Sequence, residues 1–132
     1  MPKIIVVDDE PGIRLYAREV LEEEGYVVAE AGTVDEAVLL LALNGITVAI
    51  TDIVMPGGSG IDLAHRIRLG WPHVAVILMS GQLLPKPNDL PPETRVLTKP
   101  FSSDLLISVV ADAVEHQRPI ATPKELGALW SE

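Results

Sequence analysis

The sequence predicts an α/β domain, a doubly wound five-stranded parallel sheet with helices on both faces. Short apolar runs rich in β-branched residues alternate with stretches of helical periodicity of roughly ten to fifteen residues, the pattern of repeated βαβ units. Parallel strands need such crossovers, which are right-handed. The length of 132 residues, 48% of them hydrophobic, suits one domain with a single sizeable core.

Five strands are predicted where continuous apolar runs end at polar or turn residues. The first, from Ile4 to Val7, is β-branched throughout, which is typical of a strand buried on both faces. The fifth has the weakest pattern. The strands cover residues 4–7, 26–30, 46–51, 74–79 and 95–98.

The helices between and after these strands are predicted from apolar residues that recur at a spacing of three to four. The first begins at Pro11, which a first turn tolerates, and Gly25 ends it. Residues 33–36 have the form of a capping box, which opens the second helix. Ser59 is the predicted N-cap of the third helix, and the last helix begins near Ser102.

Two proline-rich stretches are not predicted to form regular helices. Residues 85–92 contain four prolines, which disfavours a regular helix between the fourth and fifth strands. Beyond residue 118 the chain has two more prolines and little periodicity. We therefore expect a domain over residues 1–118 and a C-terminal tail or linker over residues 119–132.

Composition excludes several functional classes. Ten basic and nineteen acidic side chains give a net charge of −9, which disfavours direct binding of nucleic acid. The absence of cysteine excludes disulfides, thiolate metal sites and cysteine nucleophiles. Apolar runs fall far short of the roughly 20 residues that cross a bilayer, and no signal-peptide pattern is present. We expect a cytoplasmic domain without a membrane partner.

Polar residues stand at the ends of four predicted strands. Asp8 and Asp9 follow the first strand, Asp52 the third, Ser80 the fourth and Lys99 the fifth. Because the carboxyl ends of parallel strands share one edge of the sheet, these side chains should meet in one crevice. Three carboxylates there would raise one another's pKa, and a hard divalent cation relieves that repulsion. Oxygen ligands with few protein contacts suit Mg²⁺.

The motifs that contain these residues resemble those of the response-regulator receiver domains of two-component signalling. They are, in chain order, VVDDE, TDIVMPGGSG, VILMSG and TKPF. Their order and spacing match over residues 3–117. The resemblance implies a flavodoxin-like fold with strand order 2-1-3-4-5.

By this resemblance Asp52 is the phosphoacceptor, which takes a phosphoryl group from a sensor histidine kinase or a histidine phosphotransfer protein. Asp52 also belongs to the implied Mg²⁺ site, where Asp9 binds the ion directly and Asp8 binds it through water. The main-chain carbonyl of Val54 supplies a further oxygen.

The resemblance also assigns roles at the fourth and fifth strands. Ser80 hydrogen-bonds the phosphoryl group, Lys99 pairs with its charge, and the peptide bond between Lys99 and Pro100 is cis. The domain would catalyse only its own phosphorylation and dephosphorylation, and would thereby switch the binding of an output partner protein. It would not be an enzyme that acts on a separate substrate.

Two features depart from the receiver pattern. Receivers usually carry a Phe or Tyr three positions before the lysine, and the rotamer of that residue reports on phosphorylation. Val96 occupies that position and is too short for that movement. The segment between Ser80 and Lys99 is short and proline-rich, so a shortened or missing fourth helix is expected. Such segments resemble those of stand-alone receivers and of receivers attached to hybrid kinases.

Three alternatives stay open. The chain could be the receiver of a larger hybrid kinase or transcription factor, or a degenerate receiver that acts only as a scaffold. It could also be a Mg²⁺-dependent phosphatase with an aspartate nucleophile, although those enzymes place two aspartates two residues apart and Asp8 and Asp9 are adjacent. The glycine-rich residues 57–60 match neither common phosphate-loop pattern and are predicted to form a flexible loop beside Asp52.

Overall fold

A computed structural model describes residues 2–43, 45–81 and 85–116. The strands are β1 (Lys3–Val7), β2 (Val27–Ala31), β3 (Val48–Asp52), β4 (Val54–Met55), β5 (Gly58–Ser59), β6 (Ala75–Ser80) and β7 (Arg95–Thr98). The α-helices are α1 (Pro11–Glu23), α2 (Val34–Leu43), α3 (Gly60–Gly70) and α4 (Ser103–Glu115). Five strands form one parallel sheet in the order β2-β1-β3-β6-β7. The predicted fold class and strand order are confirmed.

The strand ends differ from the sequence prediction in a way that affects the site. Three strands, β2, β3 and β6, end one residue later than predicted. The ladder continues because Asp52 pairs with Met79 and Ser80 pairs with Thr98. Asp52 and Ser80 are therefore the last residues of paired strands and do not lie in the loops that follow.

The core consists of two layers on either side of the sheet. Ile4, Ile5, Val6 and Val7 of β1 are all fully buried, as their β-branched run predicts. They alternate between the layers: Ile5 and Val7 pack in the cluster that includes buried residues of α2 and α3, and Ile4 and Val6 in the cluster that includes those of α1 and α4. This packing fixes the direction in which β1 ends.

Helices α2, α3 and α4 begin at side-chain caps, as predicted, whereas α1 begins at Pro11 without one. Thr33 Oγ1 accepts a hydrogen bond from the Glu36 N–H at 3.1 Å. Ser59 Oγ accepts from the Ile61 N–H and Ser102 Oγ accepts from the Leu105 N–H, each at 3.1 Å. These hydroxyls satisfy N–H groups that have no partner inside the helix.

The described part of the segment before β7 contains a single 3₁₀ turn, Pro87–Asp89, where a fourth helix was predicted to be shortened or missing. The segment is nevertheless anchored. Pro91 is buried, the Pro91 carbonyl accepts from Thr94 Oγ1 at 2.8 Å, and His65 Nε2 of α3 lies 2.9 Å from the Asp89 carbonyl oxygen.

The glycine-rich segment after β3 contains two short strands where the sequence predicted a loop. Strands β4 and β5 pair antiparallel as a short hairpin, with Gly57 at a φ of 75° in its turn. The proposed tail, residues 119–132, lies outside the described residues. Among the helices of the described ranges, none is long and apolar enough to cross a membrane.

Candidate functional site

Three carboxylates meet at the carboxyl edge of the sheet. Asp8 follows β1, Asp9 is the next residue, and Asp52 ends the neighbouring strand β3. One carboxylate oxygen from each lies within 4.8 Å of the others. Hard oxygen donors at this spacing fit the ligand preference of Mg²⁺.

Asp8 is the buried member of this group and is held on every side. Its N–H donates to the Ala31 carbonyl at 3.0 Å, and its Oδ1 accepts from the Glu10 N–H at 2.9 Å. Burial raises the pKa of Asp8, and the hydrogen bonds from Glu10 and Lys99 offset that effect only in part. The charge of Asp52 raises the pKa of Asp8 further, but burial is the larger cause. The sequence analysis considered only repulsion between the carboxylates.

Lys99 supplies positive charge to the same point. Its Nζ lies 3.2 Å from Asp8 Oδ2 and 3.1 Å from Asp52 Oδ1. Burial of the ammonium acts to lower the pKa of Lys99. The hydrogen bonds to Asp52 and Asp8 outweigh this effect, and the pKa is raised. The Lys99–Pro100 peptide bond is cis, the geometry that the resemblance implies. The Lys99 N–H donates to the Ser80 carbonyl at 2.7 Å, which joins the ends of β6 and β7.

The main chain of Asp52 is held by hydrogen bonds and by close packing against the first residue of α3. Its Oδ1 accepts from the Ile53 N–H at 2.9 Å, and its carbonyl oxygen accepts from Thr51 Oγ1 at 3.0 Å. Gly60, the first residue of α3, lies so close that a Cβ there would overlap the main chain of Asp52 and Ile53. The side chain of Asp52 is 14% exposed, so its carboxylate is mostly covered and reaches solvent only in part.

The remaining predicted residues lie on strands β4, β6 and β7. Ser80 is buried at the end of β6, and Val54 is 80% exposed in β4, two residues beyond Asp52. Val96 lies in β7 opposite Leu78 and is 37% exposed.

Sequence reasoning missed two residues that shape the site, Gly60 and Arg14. Gly60 was included only as part of a glycine-rich loop, although its position directly before a helical pattern is where a close approach of main chains could be suspected. Arg14 belongs to the polar face of α1, and its Nη1 donates to the Asp8 carbonyl oxygen at 2.6 Å. No local signal distinguishes it from the other charged residues of that helix.

The fold agrees with what comparison with known proteins finds. The family described as "Response regulator receiver domain" matches residues 4–111. The chain belongs to this family. A receiver domain from Clostridium thermocellum of known crystal structure is 30% identical and superposes with a TM-score of 0.76, covering 87% of this chain and 95% of that one.

Two curated relatives are similar to most of this chain. "Transcriptional regulatory protein PdtaR" of Mycobacterium tuberculosis is 35% identical over 98% of this chain, and the chain spans 65% of that protein. "Sporulation initiation phosphotransferase F" of Bacillus subtilis is 29% identical, with 89% of this chain and 94% of that protein covered. The chain thus spans nearly the whole of one relative and about two thirds of the other.

Proposed function

We propose that this receiver domain is a phosphoacceptor in which Asp52 takes a phosphoryl group from a phosphohistidine donor. The observation that supports this most directly is the arrangement of charge: three carboxylates lie within 4.8 Å, and one ammonium is bonded to two of them. Such a centre has a nucleophile, oxygen ligands for a divalent cation and a fixed cation beside the nucleophile.

The proposed Mg²⁺ ligands are Asp8, Asp9, Asp52 and the Val54 carbonyl, with Asp9 direct and Asp8 through water. When bound, Mg²⁺ supplies positive charge that stabilises the phosphoryl oxygens. The chain's own residues position the reaction. A carboxylate oxygen of Asp52 forms the new bond to phosphorus, the phosphorus–nitrogen bond of the donor breaks, and the imidazole nitrogen keeps the electron pair.

After transfer, Lys99 would pair with the phosphoryl charge and the Ser80 hydroxyl would donate to a phosphoryl oxygen. The product is an acyl phosphate, which water hydrolyses, so the domain can return to its resting state without a second protein. The domain would therefore catalyse its own phosphorylation and dephosphorylation only.

The proposed donor is a sensor histidine kinase or a histidine phosphotransfer protein. Relatives named "Sensor kinase CckA" and "Sporulation initiation phosphotransferase F" support a place in such a relay. Since kinases of this type use ATP, we place the chain in the cytoplasm. The proposed output is the binding of a partner protein; a net charge of −9 argues against direct binding of nucleic acid.

Intact mass measurement tests the acceptor. Incubation with acetyl phosphate and Mg²⁺ should add one phosphoryl group, because alignment and charge neutralisation are all that a small donor needs. Asp52→Asn keeps the size of the side chain and removes the nucleophile, so labelling should disappear. Asp62→Asn, at an exposed position of α3, is the matched control and should label normally. Undiminished labelling of Asp52→Asn would place the acceptor elsewhere; an unmutated chain that neither labels nor binds Mg²⁺ would support the scaffold alternative.

A further inference from the structure

The connection between β1 and α1, which carries the acidic pair, is held by an arginine of α1. Arg14 Nη1 donates to the Asp8 carbonyl oxygen at 2.6 Å, and Arg14 Nε donates to Glu30 Oε1 at 3.1 Å. Glu30 lies in β2, which pairs with β1. One guanidinium therefore ties this loop to the sheet.

The anchor for Arg14 is itself fixed. Arg18 Nη1 donates to Glu30 Oε2 at 2.9 Å, so the two arginines hold separate oxygens of one carboxylate. These bonds lower the pKa of Glu30, and the bond from Arg18 has the larger effect. Burial of Glu30 acts in the opposite direction but does not outweigh them. Gly32 lies beside the guanidinium: a Cβ at that position would be 3.4 Å from Arg14 Nη1, an ordinary van der Waals contact. The planar fork of Arg14 thus has a defined place between β2 and the loop.

We propose that Arg14 is a positioning residue for the Mg²⁺ site, and that it acts through the peptide unit between Asp8 and Asp9. A peptide unit is planar, so a bond that fixes its oxygen also fixes the nitrogen and Cα on its other side. The Asp8 side chain has its own bonds to Glu10 and Lys99, whereas Asp9 is exposed. Arg14 therefore sets the direction in which the Asp9 carboxylate is presented.

This inference rests on the proposed metal site, and Mg²⁺ affinity tests it without any measurement of phosphorylation. Isothermal titration should show a Kd for Mg²⁺ about tenfold higher in Arg14→Ala, the order of loss when an outer partner of a metal ligand is removed. Arg14→Lys keeps the charge and one donor and should recover part of the affinity. Each titration is made at a temperature at which circular dichroism shows the variant to be folded. A variant that is only less stable has a lower Tm, but its folded form binds Mg²⁺ with an unchanged Kd.

Arg18→Ala is the matched control. Arg18 lies on the same helix and shares Glu30, but its own bonds go to Glu30 and Glu22. Its loss would act on the loop through Glu30, while Arg14 keeps its bond to the Asp8 carbonyl, so the Mg²⁺ Kd should rise much less than in Arg14→Ala. An unmutated chain that does not bind Mg²⁺ would overturn the proposed metal site itself. If the unmutated chain binds Mg²⁺ and Arg14→Ala binds it equally well or more tightly, or Arg18→Ala weakens it as much, the positioning role is wrong. Should Arg14→Ala not fold, Arg14→Gln, which keeps part of the stem, decides the same comparison.

Discussion

Gly60 is the position at which the smallest possible side chain should disrupt the proposed phosphoacceptor. This residue is buried, and its N–H donates to the Ile53 carbonyl at 2.8 Å. A Cβ here would lie 2.8 Å from the Asp52 carbonyl carbon, 3.0 Å from Ile53 Cα, and closest of all to the Asp52 carbonyl oxygen. All three atoms belong to the main chain, so no side-chain rotation can relieve the overlap in Gly60→Ala.

The cost follows from these distances. Non-bonded heavy atoms are in favourable contact at about 3.5 Å. The distance to the Asp52 carbonyl oxygen is the shortest of the three, so the end of β3 and the start of α3 must separate by more than about 1 Å. Overpacking of this kind costs about 1–3 kcal/mol, and loss of the bond to Ile53 adds about 1 kcal/mol. We expect a fall of about 3 kcal/mol in the free energy of unfolding, equivalent to about 10 °C in Tm for a domain of this size. Labelling of Asp52 should slow as well, because its main chain moves.

Urea unfolding followed by circular dichroism, with acetyl phosphate labelling followed by intact mass, measures both effects. Gly70→Ala, at the opposite end of α3, is the matched control. No atom lies within 4 Å of a Cβ at Gly70, so alanine there should be neutral or stabilise by about 0.5 kcal/mol. If Gly60→Ala unfolds at the same urea concentration as Gly70→Ala and labels at the unmutated rate, the close approach and the reasoning from it are refuted.

Two further predictions concern charge and relay. Burial raises the pKa of Asp8 in the folded state. Above that folded pKa, the charged carboxylate lowers the free energy of unfolding; below the pKa of the unfolded chain, Asp8 is neutral in both states and this cost disappears. Asp8→Asn should therefore stabilise the metal-free domain at pH 7, lose that advantage in acid, and bind Mg²⁺ less tightly. Urea titrations in which the unmutated protein is the more stable at pH 7 would contradict this. Beryllofluoride, a phosphoryl mimic, should increase hydrogen-exchange protection in α1; protection confined to β7 and the start of α4 would show a relay through Val96 instead.

The sequence was sufficient to predict the sheet and the meeting of charges at its edge. Asp8 and Lys99 are 91 residues apart, yet both were expected in one crevice, because a parallel sheet brings all its strand ends to the same side. The strand ends themselves were misjudged by one residue at Asp52 and Ser80. A polar residue ends an apolar pattern, but it does not end a hydrogen-bonded ladder.

Other parts of the site have no signal in a single sequence. The strands β4 and β5 have two residues each, too few to show any periodicity. Arg14 and Arg18 look alike on the polar face of α1, and only the path of the preceding loop decides that Arg14 reaches the Asp8 carbonyl. The burial of Asp8 was equally hidden, since a carboxylate at a strand end is more often exposed. These features depend on distances between elements, which pattern alone does not contain.

The expectation for α1 follows from the way Lys99 is shared. Its ammonium bonds to Asp8 and Asp52 together, so extra negative charge on Asp52 would draw it away from Asp8. The strand end that moves with Lys99 leads directly to Phe101, whose ring lies 6.2 Å from that of Tyr16 in α1. Tyr16 is 41% exposed, so a displacement there changes a surface that a partner can contact. An aromatic pair beyond the lysine could thus carry a signal that Val96, three residues before it, is too short to carry.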